Sequence, residues 1–263
     1  MLPTVDATRY TTPLREGGSL PGIVEATDLG TYVAKFRGAG QGPAALVAEV
    51  VVAGLARRLG LRVPDLVALE LDPGIGRLEP DPEIQHLLVS SAGTNLGVDW
   101  LPGSVGFEPA GFDVDPLEAA RVMWLDALTV NVDRTWRNPN LLVWHGDLWL
   151  IDHGAALVWQ HQWPPASGAA TRRLELSDHV LAPFTADLAD ADLAAVDQAL
   201  ATRVDPGVLH DVLADVPTAW LDDLEGPDEV ERARARHVEV LAARLAEREP
   251  WRPSRAPTGE VGR

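Results

Sequence analysis

The sequence predicts a two-lobed α+β fold, with a small strand-rich N-terminal lobe and a larger helical C-terminal lobe. Three observations lead there. Residues 13–37, PLREGGSLPGIVEATDLGTYVAKFR, read as a glycine-punctuated hairpin. One long apolar helix candidate and two more strand-like runs follow before residue 100. Beyond residues 100–104 the apolar spacing becomes helical. The expected organisation is an N-lobe over 1–101, a C-lobe over 102–250, and a disordered Pro-, Gly- and Arg-rich tail over 251–263.

The elements follow in order. Residues 23–26 and 31–36 have strand character, with turn chemistry at Asp28-Leu29-Gly30 between them. Residues 43–59, PAALVAEVVVAGLARRL, form a helix candidate. Pro43 suits its first turn, Arg57 and Arg58 its last, and Gly60 its C-terminal cap. Residues 63–71 and 85–91 look like two strands around the turn region LDPGIGRLEPDPE. A short strand at 98–101 is ended by Pro102-Gly103. Residues 116–128 are helical, capped by Asp115. Residues 141–144 and 148–152 alternate like a hairpin around His145-Gly146-Asp147, and helical segments run from Ala186 to 247.

Composition narrows the classes. Hydrophobic residues make up 46% and charged residues 23% of the 263, the balance of a soluble globular chain. A net charge of −17 argues against nonspecific binding to nucleic acid or anionic membranes, which needs basic surface. Cysteine is absent, which removes disulfides and thiolate metal sites. No apolar run is long enough to span a bilayer and the N-terminus lacks a signal-like apolar stretch, so a cytoplasmic protein is expected. Nine tryptophans suggest aromatic core packing.

Lys35, in YVAKFRG, is the only lysine among 22 basic residues. A chain that otherwise uses Arg has kept a compact ammonium at this position, and the two cations differ in shape and hydration. Downstream lie Glu49 on the helix candidate, Asp133 and Asn138 in NVDRTWRNPNLL, and Asp152 in LIDHG. Asn138-Pro139-Asn140 forbids a regular helix through that segment. An Asp, an Asn five residues on and a second Asp at a strand end suit phosphoryl transfer. One carboxylate faces the attacking hydroxyl, and an amide oxygen with a second carboxylate are hard ligands for Mg²⁺. Asn140 competes with Asn138 for the amide role.

Strand Lys, helix Glu, Asp with Asn five residues on, then Asp-X-Gly is the order of the protein-kinase-like superfamily. The segment Asp133-Arg134-Thr135-Trp136-Arg137-Asn138, the run GPAALVAEVVVAGLARRLGLRVP and the late VPTAWL resemble the small actinobacterial HipA-like kinase-domain proteins over residues 13–250. The resemblance implies a two-lobed protein-kinase-like fold and transfer of the ATP γ-phosphoryl group to a hydroxyl, most simply a protein Ser or Thr. Lys35 would contact phosphates and pair with Glu49. Asp133 would orient the acceptor hydroxyl, and Asn138 and Asp152 would hold Mg²⁺. Gly17, Gly18 and Ser19 would cover the phosphates, and Asp99 and Leu101 would line the adenine hinge. GGSLPG departs from the usual glycine loop, and His153 stands where protein kinases carry Phe. A nucleotide-binding pseudokinase and a small-molecule or lipid kinase are the alternative readings.

Overall fold

Asp28 closes a tight hairpin by accepting from the Gly30 N–H at 2.9 Å. It joins β2 (Gly22–Ala26) to β3 (Thr31–Lys35). The computed structural model describes residues 1–14, 20–40, 42–162, 168–221 and 227–254. β1 (Thr4–Pro13), a strand without a clear alternating signal in the sequence, pairs antiparallel with β2 and parallel with β4 (Leu66–Leu71). With β5 (Gly93–Asp99) these strands close a barrel in the order β1-β2-β3-β5-β4.

Period-two alternation decides what each strand faces. On β3, Tyr32 and Ala34 point into the barrel with Val24, Phe36 and Leu69, while Val33 and Lys35 take the opposite face. Gly97 on β5 has no room for a side chain, because a Cβ there would stand 2.6 Å from Val67 Cγ2.

Two sequence expectations are corrected here. Residues 85–91 are not a strand but belong to α2 (Pro82–Ser90). Asp81 caps it by accepting from the Glu83 N–H at 3.0 Å, Pro82 sits in its first turn, and Ile84, Leu87 and Leu88 bury one helical face. The strand expected at 98–101 instead starts at Gly93 and ends at Asp99, so Trp100 and Leu101 lie beyond the sheet.

α1 (Pro43–Arg58) fills the space between β3 and β4 in sequence. Gly60, at φ +76°, turns the chain out of it in the left-handed region that favours glycine. Ten of its side chains are buried, so it is enclosed rather than amphipathic. It packs against α3 (Pro116–Thr129), which Asp115 caps as expected, and α5 (Pro206–Ala214). One continuous apolar cluster runs from α1 through α3 and α5 to α6 (Pro227–Ala246). α4 (Asp190–Ala201) packs on the outside of α3.

A second sheet joins β6 (Val105–Gly106), β7 (Leu141–Trp144) and β8 (Asp147–Leu150), so the expected 141–152 hairpin is present. Preceding chain ties it down: Leu150 N–H donates to Arg62 O at 2.9 Å, Arg62 Nη2 pairs with Asp147 at 2.9 Å and Trp144 Nε1 donates to Pro102 O at 3.0 Å. The expectation of a disordered tail fails at its first residue. Trp251 is 2% exposed, lies 5.7 Å from the Trp124 ring and donates to Arg244 O at 2.9 Å. A large apolar ring with a satisfied N–H outweighs the Pro/Arg composition around it. Residues 255–263 lie outside the described part.

Candidate active site

Three segments distant in sequence converge on one ammonium. Lys35 Nζ donates to Glu49 Oε1 and, at 2.8 Å, to Asp152 Oδ1. β3 aims Lys35 out of the barrel, α1 presents Glu49 at 3% exposure, and the turn after β8 presents Asp152 half exposed. Glu49 Oε1 also accepts the Gly154 N–H at 3.0 Å, which anchors the chain just past Asp152. Burial alone would depress the Lys35 pKa, but the two carboxylates override it and hold the ammonium above its ordinary value. Burial raises Glu49, against the pull of Lys35 and with help from Asp152. Asp152, despite its own burial, is lowered by Lys35.

The other half of the site is the segment after α3. Asp133 Oδ2 accepts from Asn138 Nδ2 at 2.8 Å and from Asn140 Nδ2 at 3.2 Å. Both amides therefore turn their oxygens away from Asp133. Asn138 is exposed and Asn140 buried, and both border the same cavity as Lys35 and Asp152. Asn131 steadies this segment, accepting the Asp133 N–H at 3.2 Å and donating to Asp126 at 3.0 Å.

Arg134 directly follows Asp133 in the chain. The structure buries it at 1% exposure, with its Nε donating to Asp126 Oδ2 at 2.7 Å. His179 donates to the same oxygen from Nε2 at 2.9 Å; its Nδ1 accepts the Leu181 N–H, which fixes the tautomer. Against its burial, the Arg134 charge and the His179 N–H hold the Asp126 carboxyl far below the usual carboxylate range. Asp126, Asn131 and His179 had no sequence signal beyond residue type; only their convergence reveals them.

Arg134 Nη2 reaches His153 Nδ1 at 3.1 Å. A guanidinium only donates, so Nδ1 accepts and the ring is neutral. Burial first, and Arg134 second, push the His153 pKa down to about 3. His153 is thus a buried, neutral ring next to Asp152 in the chain, tied to Arg134.

The cavity encloses about 720 Å³. Val33, Leu66 and Val98 form its barrel wall and Leu141 and Leu150 its floor. Lys35, Asp152 and Asn138 stand along it, and Asp99 and Leu101 border it as well. Gly17, Gly18 and Ser19 lie outside the described residues.

The donor set bears on a metal. One ammonium shared by two carboxylates leaves excess negative charge, and Asp152 opens toward the cavity. Among the described residues no three Asp, Glu, His or Cys side chains gather as a full cage. An Asp with an Asn amide oxygen suits a hard divalent ion that completes its shell with water and phosphate oxygens.

The HipA-like kinase family model matches residues 8–254 of the chain. The chain belongs to the HipA-like kinase family. It is a kinase, a phosphotransferase. A solved structure agrees on the fold. The Helicobacter pylori proinflammatory kinase CtkA matches with a TM-score of 0.55 at 14% identity, over 93% of this chain and 99% of that one. The Golgi casein kinase with Mn/ADP bound matches less closely, with a TM-score of 0.49 at 12% identity over 95% and 75%. No curated protein matches. This HipA-like kinase has the mixed α+β architecture expected for the family, with a strand-rich first part and a helical second part.

Proposed function

We propose that this HipA-like kinase transfers the γ-phosphoryl group of ATP to a hydroxyl, most simply of a protein Ser or Thr. The observation that carries the reading is the Lys35 ammonium poised between Glu49 and Asp152 at the rim of the cavity. Adenine would lie between Val33 and Leu150 and reach Asp99 and Leu101. Lys35 would engage the phosphates while keeping Glu49. Asp152 and Asn138 would hold Mg²⁺, with Asn140 the competing amide. A bound Mg²⁺ neutralises charge on the β- and γ-phosphate oxygens. Asp133 would orient the acceptor hydroxyl and accept its proton as the O–P bond forms, while ADP departs. Catalysis in this arrangement is positioning and charge neutralisation.

The reading is tested by incubating the protein with γ-labelled ATP and Mg²⁺, alone and with Ser/Thr-containing acceptor proteins. Acid-stable label on Ser or Thr is the expected result. Tight Mg-ATP binding with no transfer to protein, small alcohol or water would favour the pseudokinase reading, and transfer only to small alcohols the small-molecule one. No helix among the described residues is long and apolar enough to cross a membrane.

A further inference from the structure

Arg134 is spent entirely on the protein. Its Nε binds Asp126, Nη1 binds the Asn140 carbonyl and, at 3.4 Å, the Ile151 carbonyl, and Nη2 binds His153. Its targets are informative. Ile151 and His153 are the two neighbours of Asp152. Asn140 is the residue whose amide donates to Asp133. The Asn140 carbonyl also receives the Ile151 N–H at 3.1 Å, a direct bond between the two segments.

Both segments need holding. Asp152 sits at φ 54° and Asn140 at φ 49°, in the sparsely populated left-handed region that Asp and Asn tolerate better than other non-glycine residues but that local hydrogen bonds must still select. Arg134 bonds to Asn140 itself and to both sides of Asp152. Arg134 is in turn held by Asp126, which lies at 0% exposure on α3. His179 binds the same Asp126 oxygen and comes from the chain beyond Asp152, where it bridges to Thr135 as an isolated β-pair.

We propose that Arg134 is the positioning residue of this site: it sets the Asp133–Asn138 half in register with the Asp152 half, and Asp126 and His179 set Arg134. What the two halves do rests on the kinase reading above. The register itself does not. Outer partners of this kind typically change metal affinity or activity by about ten- to a hundredfold when removed.

The test uses Arg134→Lys, which keeps the charge but cannot span all four partners, with His179→Phe and His179→Gln. Folding is checked by circular dichroism. Mn²⁺ binding to the complex with a non-hydrolysable ATP analogue is read by electron paramagnetic resonance. Analogue binding is also measured in chelator, and hydrogen exchange is followed in peptides covering 151–156. For Arg134→Lys the expected result is Mn²⁺ affinity weakened about tenfold or more. Metal-free analogue binding stays near wild type, kcat falls far more than KM for ATP changes, and exchange accelerates selectively at 151–156. His179→Phe moves the same readouts the same way, and His179→Gln, whose amide can still donate to Asp126, restores them. Should Arg134→Lys fail to fold, the His179 pair decides. Unchanged Mn²⁺ affinity and unchanged exchange at 151–156 would overturn the proposal, as would acceleration spread evenly over the chain with Mn²⁺ affinity intact. A wild-type protein that binds no Mn²⁺–nucleotide would overturn the kinase reading instead, and exchange at 151–156 would still judge the register.

Discussion

Lys35 Nζ lies 2.8 Å from Asp152 Oδ1, although 117 residues separate them in sequence. The same ammonium holds Glu49, buried at 3% exposure. A compact, three-donor cation fits between two carboxylates and leaves room for a phosphate. A planar guanidinium is wider and binds carboxylates side-on. Lys35→Arg is therefore expected to fold but to lose phosphoryl transfer by about tenfold or more. Steady-state kinetics on the purified variant checks this. Near-normal turnover would make the chain's only lysine incidental.

Asp126 carries the buried polar cluster beneath the site. Replacing it by Ala leaves Arg134 without its counter-charge and His179 and Asn131 without an acceptor. Breaking one side of a buried ion pair costs about 3–5 kcal/mol. In a chain of this size the melting temperature should fall by roughly 10 °C. Thermal unfolding of Asp126→Ala measures it, and a shift of only a degree or two would show that Arg134 finds compensation elsewhere.

The parts of the fold legible in sequence were those with local grammar. The Asp28-Leu29-Gly30 turn, the Asp115 cap and the His145-Gly146 hairpin each declare themselves within a few residues. Residues 85–91 were misread because Leu87, Leu88 and Val89 form an apolar run short enough for a strand. The Asp81-Pro82 start and the spacing of Ile84, Leu87 and Leu88 carried the helical signal. β1 was missed because its half-exposed, Thr-rich sequence gains its pairing from β2 and β4, which are distant partners. In the site, Lys35, Glu49, Asp133, Asn138 and Asp152 could be proposed from residue type and order. Asp126, Arg134 and His179 could not, because burial and convergence are properties of the folded chain.

Acid should destabilise the protein before its carboxylates titrate. Burial holds His237 neutral, with its pKa pushed down from 6.5 to about 4. The unfolded chain protonates this ring below pH 6.5 while the native state resists to about 4, so stability is present above 6.5 and is lost as pH falls toward 4. His237→Phe should flatten that fall. Urea unfolding at a series of pH values checks it, and an unchanged slope in the variant would contradict the assignment.

Trp251 closes the helical core against Trp124 and the fully buried Arg244. Trp251→Ala opens a cavity and leaves the Arg244 carbonyl without this donor. The expected loss is about 3–5 kcal/mol, seen in thermal or denaturant unfolding. A variant as stable as wild type would return this stretch to the status of a dispensable tail.

Asp133 receives the amides of Asn138 and Asn140, which line the same cavity as Asp152, so its carboxylate is the most direct test. Asp133→Asn preserves shape and removes the carboxylate. The decisive measurement is label transfer from γ-labelled ATP beside nucleotide affinity in the same preparation. Asp133→Asn is expected to bind Mg-ATP about as tightly as wild type and to transfer essentially no phosphate. Robust transfer by that variant would contradict it.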